Sequence, residues 1–206
     1  MEKVASYYFR IFSRRVDIKS LKETDWYVLD YEPNHKGWIN CFCKRCLEAF
    51  SQHSGIPLEG LTPQKILSKY RKEWKNFRGW QNSRMISQFA KRVKETNPKL
   101  QFGFCANPGA PWDPALMDPY VDFHCPMIYF RHPAKFFEDI DIEVKRVKKP
   151  LLPIINIGRA GLVFWVSPRE LKLEILSTAT AGGKGIFFWT GIQDLSGLDL
   201  VKIREC

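Results

Sequence analysis

The 206-residue chain has no apolar run near the roughly twenty residues that a membrane-crossing helix needs, so no span is expected. Its first residues, MEKVASYYFRIFSRR, lack the features of a signal peptide, and a cytoplasmic protein is the expectation. There is no serine elbow and no phosphate loop, which argues against acyl transfer and nucleotide hydrolysis. No glycine-rich turn follows the first clear strand, so a dinucleotide-binding sheet is disfavoured. Repeats and low-complexity stretches are absent, no linker divides the chain, and residues 1–206 read as a single domain. Acidic residues are in deficit, 22 against 32 Lys plus Arg, leaving a net charge of +10. Such a surplus raises the question of an acidic partner such as nucleic acid, but it is also common on solvated helix faces. Of six cysteines, three crowd into Cys41, Cys43 and Cys46, a distribution unlike a disulfide framework.

What is present is an alternation of short apolar runs with amphipathic stretches. Asp25–Pro33 (DWYVLDYEP) reads as a buried strand with a carboxylate tip. A helix capped by Asn40 follows, with the stripe Cys43, Cys46, Leu47, Phe50, and Gly55 ends it. A second helix opens at Thr62-Pro63 and carries Ile66, Tyr70, Trp74, Phe77, Ile86, Phe89 and Val93, with a bend expected near Gly79. Four further strands are expected at Lys99–Asn107, Val121–Tyr129, Leu151–Gly158 and Gly185–Gly191. A helix with Phe136, Phe137, Ile140, Val144 and Val147 separates the second and third of these. Another, opening with the capping box Ser167 to Glu170 and closing at Gly182-Gly183, separates the third and fourth.

Continuous apolar strands alternating with helices indicate a parallel sheet covered on both faces or closed on itself. Each strand ends in a polar or aromatic residue: Glu32, Asn107, Tyr129, Asn156, Trp189. Barrel enzymes place their chemistry at such strand ends. The fold class expected is α/β, a partial (β/α)8 TIM barrel covering about strands 3 or 4 to 8. Five strands are countable and Val4–Phe12 is a candidate sixth, so the expectation is a barrel without its first two or three units.

Side chains two apart on a strand share a face, so Asp30 and Glu32 project together. Two close carboxylates repel, which leaves one protonated near neutral pH and available as a general acid. The alternative is a strand tip whose carboxylates cap a helix or pair with a cation.

The DWYVLDYEP segment resembles the fourth-strand motif of chitinase-type (family 18) glycoside hydrolases, in which a catalytic glutamate follows aspartates. The resemblance implies Glu32 as general acid and Asp30 as the residue orienting an acetamido group. Met127-x-Tyr129 resembles the sixth-strand Met-x-Tyr, and Trp189 in GIFFWTG resembles the tryptophan that floors the sugar subsite. Two departures are visible: Val28 stands where the family usually has another aspartate, and Phe130 follows Tyr129 where an acidic or amide residue is common. Cys41-Phe-Cys-Lys-Arg-Cys46 with Phe50 resembles an element of zinc-bearing β-galactosidases and of several uncharacterised glycosidase-like barrels. In those galactosidases the nucleophile is a seventh-strand glutamate, whereas here that strand ends Asn156-Ile-Gly158. A retaining mechanism with two carboxylates therefore lacks its partner, and substrate-assisted chemistry or binding alone fits better.

No cofactor is required by this reading; Cys41, Cys43 and Cys46 are candidate ligands of a structural zinc, with His35 and His53 as local candidates for the fourth. The alternative makes Cys43 and Cys46 small apolar members of a helix stripe. Trp38, Trp112 and Trp165 fall in loops where they serve as sugar platforms or pack beneath the loop. Asn107 and Asn156 are candidate partners for sugar hydroxyls. His124 is expected to be a satisfied core histidine.

Between Gln64 and Lys99 stand eleven Lys or Arg against Glu73 and Glu95. Their separation from the apolar stripe favours a solvated helix face over a nucleic-acid surface. The expected partner is a carbohydrate substrate, with no membrane and with nucleic acid disfavoured. A homo-oligomer or a partner chain completing the barrel is the remaining expectation. The readings thus ordered are a glycoside hydrolase, a non-catalytic or degenerate barrel fragment for carbohydrate binding or assembly, and a basic nucleic-acid binder.

Overall fold

The computed structural model describes residues 21–22, 24–30, 41–106, 114–128, 132–156 and 167–189. The expected Val4–Phe12 strand lies outside them. Five strands are present: β1 Trp26–Asp30, β2 Gln101–Ala106, β3 Phe123–Pro126, β4 Ile154–Asn156 and β5 Phe187–Trp189. The helices are α1 Lys44–Ser54, α2 Pro63–Lys69, α3 Arg71–Thr96, α4 Pro133–Arg146 and α5 Pro168–Thr180.

β1, β2 and β3 pair in parallel in that order, and β4 pairs in parallel with β5. Parallel bridges from His124 to Leu151 and from Met127 to Ile154 join β3 to the β4 segment. The strands therefore succeed one another in chain order, all in one direction, as in a singly wound sheet. A doubly wound sheet reverses its strand order at a switch point, and none occurs among the described residues. The arrangement is α/β and consistent with a partial TIM-like fold.

Alternation along the strands sorts the side chains into two layers. On one face Val28, Cys105, Phe123, Cys125, Met127, Ile154 and Phe187 pack together. On the other, Leu29, Phe102 and Phe104 meet Ile86, Phe89, Ala90 and Val93 of α3. Ile128, Leu151 and Ile155 likewise meet Phe136 and Ile140 of α4 and Leu171 of α5. Gly103 has a packing reason to be glycine: a Cβ there would stand 2.1 Å from the Phe123 ring.

Two local expectations are corrected. α1 opens at Lys44, not after Asn40, because the extended backbone of Cys43 (φ −66°, ψ 159°) presents its carbonyl to the N–H groups of Cys46 and Leu47 at 2.8 and 3.0 Å. Cys43 is thus the cap and is exposed, not a member of the apolar stripe. The helix beginning at Pro63 breaks at Tyr70, not near Gly79, since Tyr70 leaves helical geometry at φ −118°, ψ 28°. Gly79 stays helical and buried, where Leu116 Cδ1 stands 3.4 Å from a would-be Cβ. The glycine admits a neighbouring turn.

Elsewhere the expected signals are realised. Gly55 closes α1 at φ 72°, in the left-handed region that glycine enters freely. Thr62 caps α2 by accepting the Lys65 N–H at 3.2 Å. At α5 the reciprocal box is complete, with the Glu170 N–H donating to Ser167 Oγ and the Ser167 N–H to Glu170 Oε2.

Candidate functional site

The parallel order brings the C-terminal residues of β1, β2, β4 and β5 to one edge of the sheet. Asp30, Asn156 and Trp189 are the last residues of their strands, and the register pairs Asp30 with Cys105 and Asn156 with Trp189. Glu32, Asn107, Trp112 and Tyr129 lie outside the described residues, as do Trp38 and Trp165. Met127 is only 4% exposed and packs with Cys105, Phe123 and Cys125, so it belongs to the interior layer. Burial also pushes the Cys125 thiol up, with Cys105 beside it acting in the same direction.

The sulfurs of Cys41, Cys43 and Cys46 all lie within 4.8 Å of one another. Cys41 Sγ is 3.5 Å from Cys46 Sγ and 3.8 Å from Cys43 Sγ. Tetrahedral zinc with bonds of about 2.3 Å holds its sulfurs about 3.8 Å apart, so the spacing fits that ion. Three local causes build the cluster. Cys43 caps α1, Cys46 lies on the first turn of α1, and Phe42, between Cys41 and Cys43, stacks on Trp74 at 4.9 Å. Arg78 of α3 donates from Nη1 to Cys46 Sγ at 3.7 Å and to Gln81 Oε1 at 2.8 Å.

The cluster's electrostatics are uneven. The backbone amide of Cys46 at the start of α1 holds the exposed Cys43 thiol below its ordinary value, and the neighbouring sulfurs add to this. Burial raises Cys46 to about 12, with Cys41 and Cys43 contributing next. One thiol is thereby readied to ionise while its neighbour keeps a proton. Coordination of a cation by Cys46 would require loss of that proton. His53 does not complete this group, because its ring lies 4.5 Å from Trp80 and 5.6 Å from Phe77. His35 falls outside the described residues.

His124, the second residue of β3, is buried and shares a 2.8 Å hydrogen bond through Nε2 with Asp118 Oδ1. Asp118 also accepts the backbone N–H of Lys148 at 2.9 Å and of Lys149 at 3.4 Å. This is the satisfied core histidine expected from the sequence. Asp118 and Arg78 were not legible as its partner and the cysteines' partner, since each contact depends on packing between separate elements.

No protein-family model matches the chain, and no curated protein matches its sequence. Solved structures do match its fold. A β-galactosidase from the psychrophilic Marinomonas ef1 aligns at a TM-score of 0.65 and 10% identity, over 90% of this chain and 37% of that one. The PgaB (BpsB) glycoside hydrolase domain from Bordetella bronchiseptica aligns at 0.55 and 9%, over 71% and 46%. Bee venom hyaluronidase aligns at 0.54 and 13%, over 90% and 69%. The fold is one that glycoside hydrolases use. At these identities the likeness extends to the architecture and not to particular residues, and the chain spans under half of two of the three.

Proposed function

We propose that this chain acts on carbohydrate as a glycoside hydrolase, with Glu32 as the general acid. The observation that carries the reading is the parallel order of five strands, which gathers Asp30, Asn156 and Trp189 at one sheet edge in a fold shared with glycosidases. Val28, two residues before Asp30 on β1, packs against the interior layer, and Glu32 follows β1 by two residues. In this reading Asp30 and Tyr129 orient the substrate and Trp189 is its platform, with Met127 beneath. Asn107, Asn156 and Trp112 contact sugar hydroxyls and rings. The seventh-strand end carries no carboxylate, so a group of the substrate itself serves as the nucleophile.

Zinc in this reading is structural. Cys41, Cys43 and Cys46 would hold it, and its chemistry there would be to fasten Cys41 to the start of α1. Arg78 braces Cys46 from α3.

The test is hydrolysis of aryl glycosides, N-acetylglucosaminides and galactosides included, by the chain and by Glu32→Gln. Turnover that vanishes in Glu32→Gln supports the proposal; turnover that survives it removes Glu32 from the role. A second reading, a carbohydrate-binding or assembly module completed by a partner chain, is favoured by Trp26. Its ring lies tilted against Phe123 at 4.8 Å and edge-on to Phe187 at 6.1 Å, yet the residue is 48% exposed. Glycan binding without turnover on any substrate selects this second reading.

A further inference from the structure

α3 is far longer than the strand it precedes. Its 26 residues span about 39 Å, whereas the six residues of β2 span about 20 Å. Its C-terminal end is tied to the chain before β1, with Asn97 Nδ2 donating to the carbonyls of Leu21 and Thr24. The helix runs back against the strand direction, so its N-terminal half overhangs the side where the strands end.

On that overhang the sheet-facing stripe changes character. Phe89, Ala90 and Val93 pack on the sheet. Arg71, Lys72 and Lys75 each precede one of them by eighteen residues, which is five turns at about 3.6 residues per turn. The three cations therefore repeat the direction of the three core residues about 27 Å farther along the axis. Gly79 checks the geometry: Leu116 leans on it, so the stripe still faces the body of the protein one turn C-terminal to Lys75. Arg71, Lys72 and Lys75 are all exposed, and among the described residues none forms an ion pair.

Helix stability does not account for them. Cations in a first turn oppose the helix dipole, which favours acids there. The acid of this turn, Glu73, lies about 160° around the helix from Lys75. Arg78, one turn on, is engaged by Cys46 and Gln81 and belongs to the cysteine cluster.

We propose that Arg71, Lys72 and Lys75 form a cationic rim that binds the carboxylates of an acidic, uronate-bearing polysaccharide and presents it to the strand ends. This names a substrate class for the glycoside-hydrolase reading and rests on it for the identity of the polyanion. Each cation adds a salt-sensitive contact, so three contacts contribute a slope of about 2 to 3 in log Kd against log salt, by analogy with other linear polyanions.

The experiment measures binding of polygalacturonate, neutral dextran and a single-stranded DNA oligomer at several salt concentrations. Three proteins are compared: the full chain, Arg71→Gln/Lys72→Gln/Lys75→Gln, and the charge-matched Lys91→Gln/Lys172→Gln/Lys184→Gln. The expected result is polygalacturonate binding at least tenfold tighter than dextran, weakened at least tenfold by the rim substitutions and under twofold by the control. Equal weakening by both triples, no preference for polygalacturonate over dextran, or tighter binding of the DNA through the same three residues would each overturn it. Hydrolysis of aryl glycosides is read separately. Rim-dependent binding without hydrolysis sinks the hydrolase reading alone, and hydrolysis without a polyuronate preference sinks the rim alone.

Discussion

His124 Nε2 and Asp118 Oδ1 meet at 2.8 Å, linking β3 to the turn that precedes it. The same carboxylate receives the N–H groups of Lys148 and Lys149, so one side chain ties three segments near the N-terminal ends of β3 and β4. Asp118→Ala is expected to cost about 2–4 kcal/mol in urea unfolding, because a buried imidazole and two amides lose their acceptor. Burial opposes ionisation of Asp118, but the His124 bond and the two amides hold its carboxyl below the ordinary value. Burial likewise holds His124 below 6.5, only partly offset by Asp118. Both folded values are depressed, so both contributions are present at neutral pH and lost on acidification. The wild-type melting temperature should fall as pH drops from 7 towards 4, and the His124 ring should titrate below 6.5 by NMR.

The cysteine cluster predicts about one equivalent of zinc per purified chain, measured by mass spectrometry. Cys43→Ser and Cys46→Ser should each remove most of it, and a chelator should lower the melting temperature of the wild type but not of either variant. Arg78→Ala should weaken retention without abolishing it, since the guanidinium touches a ligand and not the ion.

Gly103→Ala should destabilise the protein by about 1–3 kcal/mol, because the added methyl enters the space of the Phe123 ring. The double change Gly103→Ala/Phe123→Leu should recover part of that loss in chemical denaturation. Additive losses would show that the ring is not the obstacle.

Glu174 is a buried carboxylate on α5 with no hydrogen-bond partner for Oε2. Burial, reinforced by the charge of Glu170, raises it to about 8. Its folded value lies above the unfolded one, so its contribution is complete below about 4.5 and lost as pH rises through about 8. Glu174→Gln should therefore stabilise the chain at pH 9, on the order of 1–3 kcal/mol, and change little at pH 4. Melting curves at the two pH values check this.

The strands and most helices were legible because their signals are local. Thr62-Pro63, the Ser167–Glu170 box and Gly55 each act within a single turn, and all three were realised. The break at Tyr70 was missed because a continuous run of apolar positions hides a change of partner. Trp74 and Phe77 pack against α1 and α2, while Ile86 to Val93 pack against the sheet. Trp74 and Phe77 stand about 120° and 180° around the helix from Ile86, so two faces serve two cores, and a run of apolar positions alone does not tell them apart. Cys43 was misread as an alternative stripe member for a related reason, since 3.6-residue spacing continues by coincidence one position past the helix end. At the sheet edge the sequence located Asn156 and Trp189 at strand ends, and it ended the first strand at Glu32 where β1 ends at Asp30. It had no means of bringing Arg78 to Cys46, a contact between residues on α3 and α1.

The core of Phe50, Leu61, Ile66, Trp74 and Phe77 is closed by neighbours in the chain, whereas β1–β2 pairing must bring Trp26 to Gln101 across α1, α2 and α3. Loop-closure entropy makes the first assembly cheap and fast and the second slow. α1, α2 and the first half of α3 should thus acquire amide protection before the sheet does in pulsed hydrogen exchange. A nascent chain would then carry this helical knot preformed, as the template on which β2 finds its place beside β1.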